Sequence, residues 1–128
     1  MTEKEVKVSE KHVWVGVEDQ HVYLGLTNFI QKELGTVIGI ELPEVGDTIE
    51  GGETFAELES VSTLHELESP VSGTVLAVNS DLESRPSMIN EDPYNEGWLV
   101  EVRLADHSQL DGLMDMDEYY HRVFSDDS

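Results

Sequence analysis

The feature that most constrains this chain is a period of two. From His12 to Leu104, apolar and polar side chains alternate in short runs, each stopped by a cluster of glycine, proline, asparagine or aspartate. Successive side chains of a strand point to opposite faces, so such runs read as half-buried strands and the clusters as turns. HVWVGVED (12–19) and HVYLGLT (21–27) are two strands with a tight turn near Asp19 and Gln20. NFIQKELG (28–35) breaks the period and reads as a short helix that buries Phe29, Ile30 and Leu34. Asn28 can cap it, Gln31 takes the capping-box position, and Gly35 offers a left-handed stop. TVIGIEL (36–42) resumes a strand, PEVGD (43–47) turns, and Gly51 and Gly52 turn again. TFAELESV (54–61) alternates, but Phe55, Leu58 and Val61 miss a single face, which predicts a bulge or a change of exposure near its end. STLHE (62–66) is then the turn, LESPVSG (67–73) the return with Pro70 on an edge, and TVLAVN (74–79) the next strand.

SDLESRPSMINEDPYNEG (80–97) reads as a long polar connection with turn chemistry at Pro93 and Gly97, and WLVEVRL (98–104) as the last strong strand. Beyond it, Leu110, Leu113, Met114, Tyr119 and Val123 fall at helical spacing, with Ser108 and Asp115 as caps. Trp14, Trp98 and Val100 belong to the core. The sum is a mainly β chain, a sandwich or flattened barrel with a short internal helix and C-terminal helices. One domain is expected over residues 1–128, with 1–11 a flexible N-terminal segment and 125–128 a flexible tail.

Composition excludes more than it selects. There are 28 acidic and 7 basic residues, a net charge of −21. Such a surface repels phosphate backbones and anionic lipids, so neither nucleic acid nor membrane is an expected partner; it suits docking to basic patches. The same acids keep a protein soluble, and an acid-rich, lysine-poor surface also fits a salt-adapted source. Cysteine is absent, which removes disulfides, thiol nucleophiles and thiolate metal sites. The start, MTEKEVKVSEKHVW, has no apolar core of signal-peptide length, so a soluble cytoplasmic protein, a monomer, is expected. His12, His21, His65, His107 and His121 show no metal-ligand spacing, and no metal site is predicted.

Five stretches carry a resemblance: HVWV, VYLGLTNFIQKELG, ELPEVGDTIEGGETFAELESV, SPVSGTVLAVNSDL and INEDPYNEGWLVEVRL. Colinear and correctly spaced, they resemble the H proteins of the glycine cleavage system, the lipoyl-carrying shuttles of that complex. The resemblance implies a barrel-sandwich hybrid, a lipoyl-domain-like fold whose hairpin projects a lysine amide-linked to lipoate. It implies no catalysis by the chain itself, and as partners glycine decarboxylase, aminomethyltransferase, dihydrolipoyl dehydrogenase or a lipoate ligase. It also implies that the NEDPYNEG loop packs under the hairpin.

The family's hairpin motif reads Glu-Ser-Val-Lys-Ala. Here Glu59, Ser60 and Val61 match as the flanking recognition motif, and Ser62 and Thr63 then replace lysine and alanine. The interval on to Ser69 and Pro70 is that of the family, so the difference is a substitution and not a slipped alignment. Lipoylation forms an amide, which needs an amine on a flexible stem; lysine has a pKa of about 10.4 and four methylenes of reach. Serine brings an unactivated hydroxyl one carbon from the backbone. All four lysines lie at or before Lys32, so the rest of the chain offers no side-chain amine. Ser62 is therefore predicted unmodified, no cofactor is expected, and a protein-binding or regulatory role is inferred. The alternative is a working aminomethyl and lipoyl shuttle whose lysine was exchanged by design. Drift at Thr63, Leu64 and His65 as well as at Ser62 favours a natural degenerate member. His65 as a base for Ser62 lacks a third group to orient it, and Glu57 with Glu59 only mimics a carboxylate pair.

Overall fold

In the computed structural model, which describes residues 5–18 and 21–125, ten strands form two antiparallel sheets. The strands are β1 (Glu5–Val8), β2 (Val13–Glu18), β3 (His21–Leu26), β4 (Val37–Glu41), β5 (Thr48–Ile49), β6 (Thr54–Ser60), β7 (Leu64–Glu68), β8 (Gly73–Val78), β9 (Val100–Leu104) and β10 (Met114–Asp115). The larger sheet runs β10-β1-β2-β3-β9-β8-β5, and the smaller β4-β6-β7. The fold is the mainly β, lipoyl-domain-like barrel-sandwich expected. The predicted turn at Asp19 and Gln20 lies outside the described residues.

One apolar cluster fills the space between the sheets. Val15, Val22, Leu24, Leu58, Val71, Leu99, Val100 and Val102 are wholly buried in it. Each such side chain contributes about 1.5–3 kcal/mol by leaving water. Trp14 joins the core because Gly25 faces it across β2 and β3: a Cβ there would sit 2.5 Å from the indole ring. Trp98 is only half-buried, its ring edge-on to Tyr23 at 5.3 Å, which corrects its assignment to the core.

Helix α1 (Asn28–Leu34) ends at Gly35, whose φ of +84° is open to glycine at little cost. The side chain of Gln31 lies outside the described residues. The connection at 80–97 is not merely polar coil. It holds two single-turn helices, α2 (Asp81–Ser84) and α3 (Met88–Glu91), which bury Leu82, Met88 and Ile89.

Both ends of the chain depart from expectation. Within the expected flexible segment 1–11, Glu5–Val8 is a sheet strand, paired with β2 on one side and β10 on the other, with Val8 fully buried. Val6 and Val8 alternate with charged residues, a pattern too short to stand out from a charged arm. The C-terminal spacing divides into a 3-10 turn (His107–Gly112), β10 and helix α4 (Met116–Ser125). Asp106, not Ser108, caps the turn: its carboxylate accepts from the Ser108 backbone N–H and hydroxyl, which holds its pKa below the ordinary value. Asp115 caps α4 as expected, accepting from the Glu118 N–H at 2.8 Å. Ser125 closes α4, and the rest of the expected tail, 126–128, lies outside the described residues. Val8, Met114 and Tyr119 form a second small core that docks this end.

Candidate functional site

The β6–β7 hairpin is the site the sequence singled out. Its turn is shorter than the predicted 62–66: Val61, Ser62 and Thr63 make it, and Leu64, His65 and Glu66 already pair with β6. Likewise Pro70 lies beyond the end of β7 rather than on an edge strand. In the smaller sheet the bulges fall at Thr54–Ala56 in β6 and at Val37–Gly39 in β4; at the end of β6 it is exposure that changes, from buried Ser60 to Val61, 67% exposed. The first one reconciles Phe55 and Leu58, which both reach the core because Phe55 is the extra residue where the register shifts, between Thr54 and Ala56.

Ser60 holds the turn together. It is 3% exposed, and its N–H donates to the Thr63 carbonyl at 2.8 Å. Its hydroxyl accepts from the N–H groups of Ser62 and Thr63 at 3.4 and 3.3 Å and donates to the Thr63 carbonyl at 3.3 Å. Of the flanking motif, then, Ser60 is structural, whereas Glu59 and Val61 face solvent. Ser62 and Thr63 are exposed at the apex. His65 pairs with buried Leu58 and so lies on the inward face, away from its exposed neighbours Leu64 and Glu66. No hydrogen bond links its ring to Ser62 among the described residues, and no nucleophile and base are assembled there.

The apex is braced from outside the hairpin. The Val61 N–H donates to the Thr36 carbonyl at 3.1 Å. Thr36 is itself gripped by Asn90, whose side chain accepts from the Val37 N–H at 2.8 Å and donates to the Gly35 carbonyl at 2.9 Å. The segment carrying Asn90 is anchored in turn. The Trp14 indole N–H donates to the Pro93 carbonyl at 2.9 Å, and Asn79 donates to the carbonyls of Glu96 and Trp98 at 2.8 Å each. The Asn28 N–H donates to the Tyr94 hydroxyl at 2.9 Å, and burial pushes that phenol up to about 12. The loop expected beneath the hairpin thus acts on it through residues 35–37. Neither Asn90 nor Thr36 was singled out as a site residue, because only the fold brings them to the apex.

Two surfaces flank the apex. On the outer face of the smaller sheet, Glu41, Glu57 and Glu66 stand in one cross-strand row, with Gly39, Glu59 and Leu64 in the next. On the other side, a groove of about 370 Å³ runs beside β7, with Leu26, Leu34 and Leu67 lining it together with His12, His65 and Lys11. His12 has a left-handed φ of 71°, and its Nδ1 lies 2.8 Å from the Tyr119 hydroxyl, which in turn lies 2.7 Å from Thr27 Oγ1. Burial lowers the His12 pKa, Lys11 lowers it further, and Glu33 opposes them. Among the described residues no cluster of histidine and carboxylate side chains could hold a metal, and no helix is long and apolar enough to cross a membrane.

The chain as a whole resembles known proteins in sequence and fold. Residues 6–126 match the family model described as glycine cleavage H-protein. A glycine cleavage system H protein of Brevibacillus brevis is 47% identical over 116 residues, covering 91% of this chain and 92% of its own length. That of Halalkalibacterium halodurans is 49% identical over 119 residues, 93% of each chain. The crystal structure of an H protein from Mycobacterium marinum superposes with a TM-score of 0.86 at 30% identity, covering 93% of this chain and 96% of that one. By sequence match over more than nine-tenths of its residues and by fold alike, this chain belongs to the glycine cleavage H-protein family.

Proposed function

We propose that this chain is a non-catalytic H-protein-like docking module that carries no lipoyl group. The observation behind this reading is the apex itself: an exposed serine hydroxyl where the family's motif has an amine, on a hairpin otherwise built and braced for presentation. The residues present do not fit amide-linked lipoate, since a hydroxyl cannot form that amide and no lysine follows Lys32. Lys11 borders the groove beside His65 and Glu66 rather than the turn. What remains is a surface. By family resemblance its partners are glycine decarboxylase, aminomethyltransferase, dihydrolipoyl dehydrogenase or a lipoate ligase, and its role is to bind or regulate rather than to shuttle.

The second reading, a carrier whose lysine was exchanged, is favoured by match to carrier relatives over more than nine-tenths of the chain. One experiment separates the two and tests the first. The chain and its Ser62→Lys variant are expressed with lipoate and a lipoate ligase, and intact mass is read. The expected outcome is an unmodified parent and a variant heavier by one lipoyl group. A lipoyl mass on the parent, at Ser62, Lys11 or elsewhere, sinks the cofactor-free reading. A lysine at position 62 in the natural gene establishes the second.

A further inference from the structure

Large apolar side chains flank the amine-free apex of the hairpin. Ile38, Val61 and Leu64 are 50%, 67% and 61% exposed, three of the few large apolar side chains left in solvent. They come from three segments that meet at one end of the smaller sheet. Leu64 stands opposite Glu59, Val61 is bonded to Thr36, and Ile38 is the extra residue of the β4 bulge between Val37, opposite Ser60, and Gly39, opposite Glu59. A bulge re-aims the side chain it adds, and here it adds an isoleucine to the rim of the turn. Below this apolar end, Glu41, Glu57 and Glu66 cross the sheet, and no lysine or arginine occurs between Lys32 and Arg85. The surface is a serine-threonine tip flanked by three apolar side chains, with Glu59 beside Leu64 and an anionic collar below. Its complement is an apolar socket ringed by cations.

The reaction chemistry of the system distinguishes among sockets. Enzymes that act on the far end of a lipoyl arm work away from the hairpin, whereas the enzyme that forms the amide must bring its activated acyl group to residue 62 itself. The mouth of its site must hold a hydrocarbon chain and a dithiolane in an apolar channel. It must also hold an anionic acyl-phosphate donor, which calls for lysine or arginine nearby. Resting on the cofactor-free reading above, we propose that this apex docks in the acceptor site of a lipoyl-transferring enzyme and stays there as a competitor, because it offers no amine to react. Binding is anchored by Val61, Leu64 and Ile38 and steered by the glutamate row.

The test measures lipoylation of a lysine-bearing H protein by an ATP-dependent lipoate ligase as this chain is added. The expected result is competitive inhibition: KM for the acceptor rises, kcat is unchanged, and the inhibition weakens in high salt as the collar is screened. A double substitution of exposed positions, Val61→Glu with Leu64→Glu, leaves the fold intact and weakens inhibition at least tenfold. In the opposite sense, Ser62→Lys turns the competitor into a substrate. Absence of inhibition at a tenfold excess over acceptor overturns the proposal, as do equal inhibition by the double variant and failure of Ser62→Lys to be lipoylated. If the parent chain is itself lipoylated, the cofactor-free reading fails. If it is neither lipoylated nor inhibitory, only the assignment of this partner fails.

Discussion

His12 shows how much one residue joins in this molecule. A left-handed φ is costly for a β-carbon-bearing residue, and at +71° it turns the chain from β1 into β2. In that position the ring stacks near Phe29 at 5.3 Å, meets Tyr119 edge-on at 5.7 Å and shares the Tyr119 hydroxyl with Thr27. Helix α4 is thereby tied to the start of β2 and to helix α1. Burial and Lys11 disfavour the imidazolium, so the unfolded chain takes up that proton at a higher pH than the folded one. Stability from the neutral ring is complete above the ordinary histidine value, about 6.5, and is lost as pH falls through the lowered folded value. Asparagine tolerates the same backbone region and does not titrate. Melting curves between pH 7.5 and 5 should therefore show the parent losing more stability than His12→Asn, with the gap opening below about pH 6.5. Parallel curves at all pH values would remove His12 from the acid response.

At the scale of elements, a distant loop helps to hold the apex of the hairpin through its neighbour. Asn90 satisfies one carbonyl and one N–H on either side of Thr36, and Thr36 receives the Val61 N–H. Asn90→Ala leaves the Gly35 carbonyl and the Val37 N–H without these partners, at a cost of about 1–3 kcal/mol. The loss should be local: amide exchange at Val61 and Ser62 accelerates more than exchange within β2 and β3. Uniform acceleration across both sheets would instead make Asn90 a generic stability residue.

Sequence alone could locate this hairpin but not its brace. Period-two runs made β2, β3, β8 and β9 legible, because a strand with one buried face must alternate. Leu64-His65-Glu66 reads as part of the turn because its leucine and glutamate are exposed, and only the pairing to Glu59, Leu58 and Glu57 marks it as strand. β5 and β10 have two residues each and α2 and α3 four, too few for any period to show. Asn90 was legible as part of a family-like stretch, yet its partners lie 53 and 55 residues away, a pairing that only the closed sandwich defines.

Taken whole, the molecule carries its charge unevenly. Of its seven basic residues none falls between Lys32 and Arg85, so β4 to β8 and the turns joining them contain only acids and neutral residues. The consequence is the row in which Glu57 has Glu41 on one side and Glu66 on the other. Like charges directly opposite in a sheet destabilise it by roughly 0.2–1 kcal/mol per pair. Such an arrangement lowers the stability of the isolated protein, and it gains meaning if the row is neutralised by a cationic partner. Glu57→Gln keeps the shape and removes both repulsions. In urea denaturation at low ionic strength it should be the more stable protein by about 0.5–1 kcal/mol. Near 1 M salt, where the Debye length shrinks to about 3 Å, the advantage should vanish as the parent catches up. The same substitution should weaken any docking that the row steers, so stability and binding move in opposite directions. A variant less stable at low salt, or a gain indifferent to salt, would mean that the three carboxylates are too well hydrated to repel one another, and the collar would lose its electrostatic role.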